Sequence, residues 1–119
     1  MSVSASYRTF ILEQLQRVLP AVRSRGMFGG VGIYSADLFF ALLADDTLYF
    51  KVDDVTRPAF EGSGMGPFRP FGEGGEVMQY YQVPEEVLED QDALRVWAED
   101  AVLVARRART GGRRRREPR

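Results

Sequence analysis

Apolar side chains recur at steps of three and four through residues 4–19, where Tyr7, Phe10, Ile11, Leu15, Val18 and Leu19 fall on one side of a helix. Ser4 or Ser6 is suited to cap its start. Pro20 ends it, because the residue before a proline is pushed out of the α region. The pattern then changes to that of strands. Residues 21–34 read as a short strand, a bend carrying Gly26, Gly29, Gly30 and Gly32, and a second strand near Val31–Tyr34. Ser35-Ala36-Asp37 is a turn, Leu38–Ala44 the most strand-like run, Asp45-Asp46 a tight reversal and Thr47–Val52 the returning strand. Strands joined by turns this short must run antiparallel.

Beyond them, Asp53 or Asp54 is placed to cap a short helix through Phe60, and Gly62–Pro67 is a loop. Phe68-Arg69-Pro70-Phe71 suits a short edge strand, and Glu76–Val83 is a strand rich in β-formers. Pro84 opens a helical turn through Leu88. Residues 90–109 form the second long helix, capped by Asp90, with Leu94, Trp97, Ala98, Ala101, Val102, Ala105 and Ala108 along its packed stripe. Gly111 is the expected stop. Helices that bracket an antiparallel meander of five or six strands define an α+β domain over residues 1–109, followed by a disordered, arginine-rich tail over 110–119.

The run Leu38–Leu43 does not alternate. Strict period-two geometry places Leu38, Phe40 and Leu42 on one face and Phe39, Ala41 and Leu43 on the other. An antiparallel sheet covered on one side shows polar residues at every second position, so both faces are expected to be covered. Two coverings fit: a homodimer interface over Phe39, Ala41 and Leu43, or loops of the same chain.

Composition narrows the chemistry. The 119 residues hold no cysteine and no histidine, which removes thiolate chemistry, disulfides, the commonest metal ligand and the commonest base near neutral pH. No catalytic constellation and no cofactor fingerprint is legible, so a non-enzymatic role is expected. The net charge of -1 hides a split. Residues 106–119 hold eight of the 16 basic residues and one of the 17 acids, which leaves 1–105 with a net charge of −8. No apolar run approaches the roughly 20 residues of a membrane span. The N-terminus lacks a basic segment followed by an apolar run, so the expected location is the cytoplasm.

Four features invite a functional reading beside a structural one. Met27-Phe28-Gly29-Gly30 lacks the Gly-Lys-Ser/Thr ending of a phosphate loop and the third glycine of a dinucleotide fingerprint. It reads first as a sheet bend with Met27 and Phe28 in the core, and second as a partner or ligand surface. Lys51, the only lysine, shares a strand face with Tyr49, where it marks either an amine needed for anion binding or a salt bridge with Asp53, or a chain lying over the sheet with its charge in water. The adjacent carboxylates Asp45-Asp46, Asp53-Asp54 and Glu85-Glu86 are explained by turns and caps, and Glu99-Asp100 by the polar face of the last helix. Arg113, Arg114, Arg115 and Arg116 are suited to phosphate contacts without base readout, against the repulsion of an acidic body, or to a solubilising extension.

The combination Arg25–Tyr34, Phe40–Leu43, Leu48–Asp53, Pro67-Phe68, Tyr80–Pro84, Leu88–Asp90, Leu94, Trp97-Ala98 and Ala101 resembles the N-terminal domain of the TfoX/Sxy family of competence regulators. The resemblance covers roughly residues 7–108. It implies a compact α/β domain with an antiparallel sheet, often self-associating. Two-domain members of that family are positive regulators of DNA-uptake competence genes, whereas this sequence ends where their second domain would begin. The resemblance therefore implies a regulatory, protein-interaction role with a partner in the transcription machinery. Weak, nonspecific nucleic-acid binding through the arginine tail and small-anion binding near Lys51 are the alternatives.

Overall fold

The structure, a computed structural model, describes residues 2–27, 29–70, 72, 74–75 and 78–115. In chain order it consists of α1 (Ala5–Gln16), β1 (Val22–Met27), β2 (Gly30–Ser35), β3 (Leu38–Ala44), β4 (Thr47–Lys51), α2 (Arg57–Gly62), β5 (Tyr80–Gln82), α3 (Glu85–Leu88) and α4 (Gln91–Arg115). The strands pair antiparallel in the order β1-β2-β3-β4-β5, so the α+β meander expected from the sequence is present.

Local chemistry sets the corners. The Ser4 hydroxyl accepts the Tyr7 N–H at 3.2 Å and starts α1. The Asp90 carboxylate accepts the N–H groups of Asp92 and Ala93 at 3.0 and 3.2 Å and starts α4. Asp45 and Asp46 both take positive φ, 53° and 51°, which closes the β3–β4 hairpin with the handedness its strands need. The Asp53 carboxylate accepts from Val55 and Thr56 N–H at 3.0 Å each, turning the chain into α2. On the far side of β5, Pro67 bridges Tyr81, and Phe68 N–H donates to the Tyr80 carbonyl at 2.7 Å. The extra edge thus lies around Pro67 and Phe68 rather than Phe68–Phe71. Phe71, Glu76 and Val77 lie outside the described residues, and the strand expected over Glu76–Val83 is described for Tyr80–Gln82.

One face of the sheet carries the core. Ile11 and Leu15 of α1, Phe60 of α2, Val87 of α3 and Leu94, Ala98 and Ala101 of α4 pack with Ile33, Phe40, Leu43, Leu48 and Phe50. The expected α1 stripe departs at one position. Tyr7, Ile11 and Leu15, with Val18 and Leu19 just past the helix, turn inward, whereas Phe10 is 45% exposed.

β3 corrects the expected division of faces. Ile33 pairs with Ala41 but Tyr34 with Phe39, which leaves Phe40 as an extra residue in a β-bulge. The bulge resets the alternation. Leu38, Phe40, Ala41 and Leu43 all join the helix-side core, while Phe39, Leu42 and Ala44 face the other way. Phe39, Ala41 and Leu43 therefore do not form a common face, and Ala41 and Leu43 are fully buried beneath their own helices.

The stop expected at Gly111 is also absent: α4 runs on through Thr110, Gly111 and Gly112 to Arg115. A helical glycine costs only about 1 kcal/mol relative to alanine, and the arginines around this pair are good helix formers whose charge suits a helix C-terminus. Residues 116–119 lie outside the described residues.

Candidate functional site

The sheet face away from the helices holds a second apolar cluster. Leu42, Ala44 and Tyr80 are its buried members, and Phe39, Tyr49 and Phe68 pack half-buried against them. None of these side chains comes from a helix. The rings form two groups. Phe39 stacks on Tyr34 at 5.1 Å between centroids and meets Tyr80 at 5.8 Å, while Tyr49 meets Phe68 at 5.0 Å. Burial, with the neighbouring Tyr34, pushes the Tyr80 phenol up to about 12.

Two cations border the rings. The Arg23 guanidinium lies 4.7 Å from the Tyr34 centroid, and Lys51 Nζ lies 5.1 Å from that of Tyr80. Lys51 and Tyr49 share this face, as their spacing requires. Desolvation lowers the Lys51 ammonium below its ordinary range. The Lys51 residue also borders a cavity of about 230 Å³ between α2 and α4, walled by Phe60, Trp97 and Ala101. A second cavity, of about 370 Å³, opens beside Tyr49, Phe68, Arg69 and Asp45.

The strand, bend and strand expected over the glycine-rich stretch form the β1–β2 hairpin, with Gly26, Gly30 and Gly32 inside the strands themselves. Met27 pairs with Gly30, and Gly29 takes φ 78° in the turn between them. A Cβ on Gly30 would sit 2.6 Å from the Leu43 carbonyl oxygen, so the close approach of β2 to β3 requires glycine there. Met27 is half-buried and reaches across Gly32, where a Cβ would meet its Cε at 2.6 Å. It therefore belongs to the aromatic side of the sheet and not to the helix-side core. Phe28 lies outside the described residues.

The aspartates at turns and caps have structural partners. Asp45 and Asp46 accept the N–H groups of Ser2 and Ser4, at 3.3 and 2.7 Å, which ties the N-terminus to the β3–β4 turn. Asp53 pairs with Arg107 at 2.8 Å and Asp37 with Arg109 at 2.9 Å, which fastens α4 to two sheet corners. Burial raises the Asp53 carboxyl, but the Arg107 guanidinium and the Thr56 and Val55 N–H groups outweigh it and hold the group below the usual carboxylate range. The hydrogen bond from Arg109, then its charge, holds Asp37 low. Arg113, Arg114 and Arg115 lie on the final turns of α4, and Arg116 lies outside the described residues.

Sequence reasoning identified Tyr49 and Lys51 but did not bring Tyr34, Leu42, Phe68 and Tyr80 to the same face. The bulge at Phe40 hid Leu42, and the return of Phe68 beside β5 depends on hydrogen bonds made far along the chain. Among the described residues, no group of three or more Asp or Glu is placed to hold a metal ion, and no helix is long and apolar enough to cross a membrane.

No match was found among curated proteins. A family model described as the TfoX N-terminal domain matches residues 13–105, a span that contains the whole sheet and the buried part of α4. The chain, with its five-stranded meander and flanking helices, belongs to the TfoX N-terminal domain family.

Proposed function

We propose that this domain is a non-enzymatic regulatory module that acts by protein contact and pairs with a second copy of itself across the aromatic sheet face. The observation that carries the reading is the cluster of Tyr34, Phe39, Leu42, Tyr49, Phe68 and Tyr80 on the face that the helices leave uncovered. Rigid rings bordered by Arg23 have the composition of interface centres, where aromatic and arginine side chains supply most of the binding energy, and Lys51 suits the charged rim of such a patch. Ala41 and Leu43 have no part in it, because they are already buried. The engagement of Asp37, Asp45, Asp46, Asp53 and Asp90 in turns, caps and ion pairs supports a structural rather than an acid–base use of these carboxylates. Membership of the TfoX N-terminal domain family supports transcription as the process regulated.

Light scattering over a concentration series tests the pairing. The wild-type chain is expected to reach twice its monomer mass, and Phe39→Lys to remain at monomer mass. A wild-type monomer at high micromolar concentration overturns the pairing. Transcript profiles of a strain lacking the gene test the regulatory part. A defined gene set is expected to change and to recover with the wild-type chain but not with Phe39→Lys, and an unchanged profile overturns it.

A further inference from the structure

The two edges of the sheet are treated differently. The β5 edge is covered by its own chain, through the bridge from Pro67 to Tyr81 and the bond from Gln82 N–H to the Gly66 carbonyl at 3.0 Å. β1 ends the strand order on the other side. Ala36 N–H donates to the Ala21 carbonyl at 2.9 Å, immediately before the first β1–β2 pair. In an antiparallel ladder every second pair carries the bonds, so Arg23–Tyr34, Arg25–Gly32 and Met27–Gly30 hold β1 to β2. Val22, Ser24 and Gly26 turn their N–H and C=O groups to the open side, where no backbone partner is present among the described residues.

The side chains along this edge define what it accepts. Arg23 and Arg25 are exposed, project to the aromatic face and form no ion pair among the described residues. Asp37 acts on Arg23 electrostatically but is hydrogen-bonded to Arg109. On the helix side, Ser24 is held by Arg8 at 2.8 and 3.3 Å, and a Cβ on Gly26 would meet nothing within 4 Å. A second copy fits this edge poorly in the register that would use its full length. Antiparallel self-pairing centred on Ser24 sets Arg23 opposite Arg25 of the other copy, twice, and like charges directly opposite are destabilising.

We infer that the β1 edge is a docking site for an extended acidic peptide segment of a partner protein, which adds as a strand by bonding to Val22, Ser24 and Gly26. Arg23 and Arg25 occupy the non-hydrogen-bonded positions toward the incoming strand, where side chains approach most closely. Carboxylates at alternate positions of the guest therefore meet the two guanidinium groups. The intervening guest side chains lie over the helix side, where the open space at Gly26 accepts an apolar residue. The backbone bonds supply affinity and the alternation supplies selectivity. The backbone edge of β1 lies outside the aromatic cluster proposed for self-pairing, and Arg23, which stacks on Tyr34, borders both surfaces.

The test is an amide NMR titration of the full chain with a capped peptide that alternates Glu with Val or Thr, beside a control in which Lys replaces Glu. The expected result is shift changes and slowed exchange at the Val22, Ser24 and Gly26 amides, with preference for the acidic peptide. Arg23→Glu/Arg25→Glu is expected to weaken acidic-peptide binding about tenfold or more and to reverse the preference. Phe39→Lys, which removes self-pairing, is expected to bind the peptide like wild type, so failure of one reading leaves the other standing. Equal affinity for both peptides, perturbation confined to Arg106–Arg109, or no perturbation at millimolar peptide overturns the proposal.

Discussion

Gly30 is the position at which a single added carbon does the most damage per atom. Its absent Cβ is replaced in space by the Leu43 carbonyl, and a 2.6 Å contact with backbone cannot be relieved by turning a side chain. Gly30→Ala is expected to destabilise the domain by about 2 kcal/mol or more in urea unfolding. Gly26→Ala, with open space at its Cβ and no positive φ, is expected to be neutral or mildly stabilising, because alanine restricts the unfolded chain. Tyr80 gives a second residue-level expectation. A phenol whose folded value is raised favours the neutral form in the fold. Its stabilisation is therefore complete below pH of about 10, the ordinary tyrosine value, and is lost as pH rises toward about 12. Unfolding midpoints are expected to fall over that alkaline window, and Tyr80→Phe is expected to flatten the fall. The residue types of this site were legible and their grouping was not. Lys51 and Tyr49 sit two apart on one strand, so period-two geometry joins them, but nothing local joins Phe68 to Tyr49 or Tyr34 to Tyr80.

α4 shows what patterning reads well in an element and what it misses. Leu94, Ala98, Ala101 and Ala105 follow the 3.6-residue period and are buried, as their spacing requires. Its far end follows no apolar rule, because Arg107 and Arg109 are fixed by carboxylates 54 and 72 residues away along the chain. The same limit applies to β3, where the bulge at Phe40 comes from the register with β2 and leaves no mark in a run of apolar residues. The two ion pairs predict an acid limb. Both carboxyls are held below their ordinary range, so their stabilisation is complete above pH of about 4 and is lost as pH falls through the lower folded values. Asp53→Asn keeps the oxygen that accepts from Val55 and Thr56 while removing the charge. A double-mutant cycle with Arg107→Ala is expected to give about 0.5 kcal/mol, as for other solvent-screened pairs. Asn at both Asp37 and Asp53 is expected to weaken the acid dependence measured by urea unfolding between pH 5 and 3.

At the scale of the whole molecule, an acidic body ends in a helix that gathers arginines, so the proposed pairing is one of two kinds of self-association physically open to the chain. One is electrostatic, basic end to acidic body, and the other is apolar, aromatic face to aromatic face. Salt separates them. At 0.5 M ionic strength the screening length falls to about 4 Å, which removes most attraction between exposed charges. Burial of Tyr34, Phe39 and Tyr49 against their counterparts does not weaken with added salt. Light scattering at 0.05 and 0.5 M sodium chloride is therefore expected to give the two-chain mass at both concentrations, with any larger species confined to low salt. Removal of residues 113–119 is expected to abolish the larger species and leave the two-chain form, since α4 makes its buried contacts before Arg106. If the two-chain mass itself disappears at 0.5 M, association runs through the arginine-bearing end, and the rings on the second sheet face are shielded well enough by one another to need no partner.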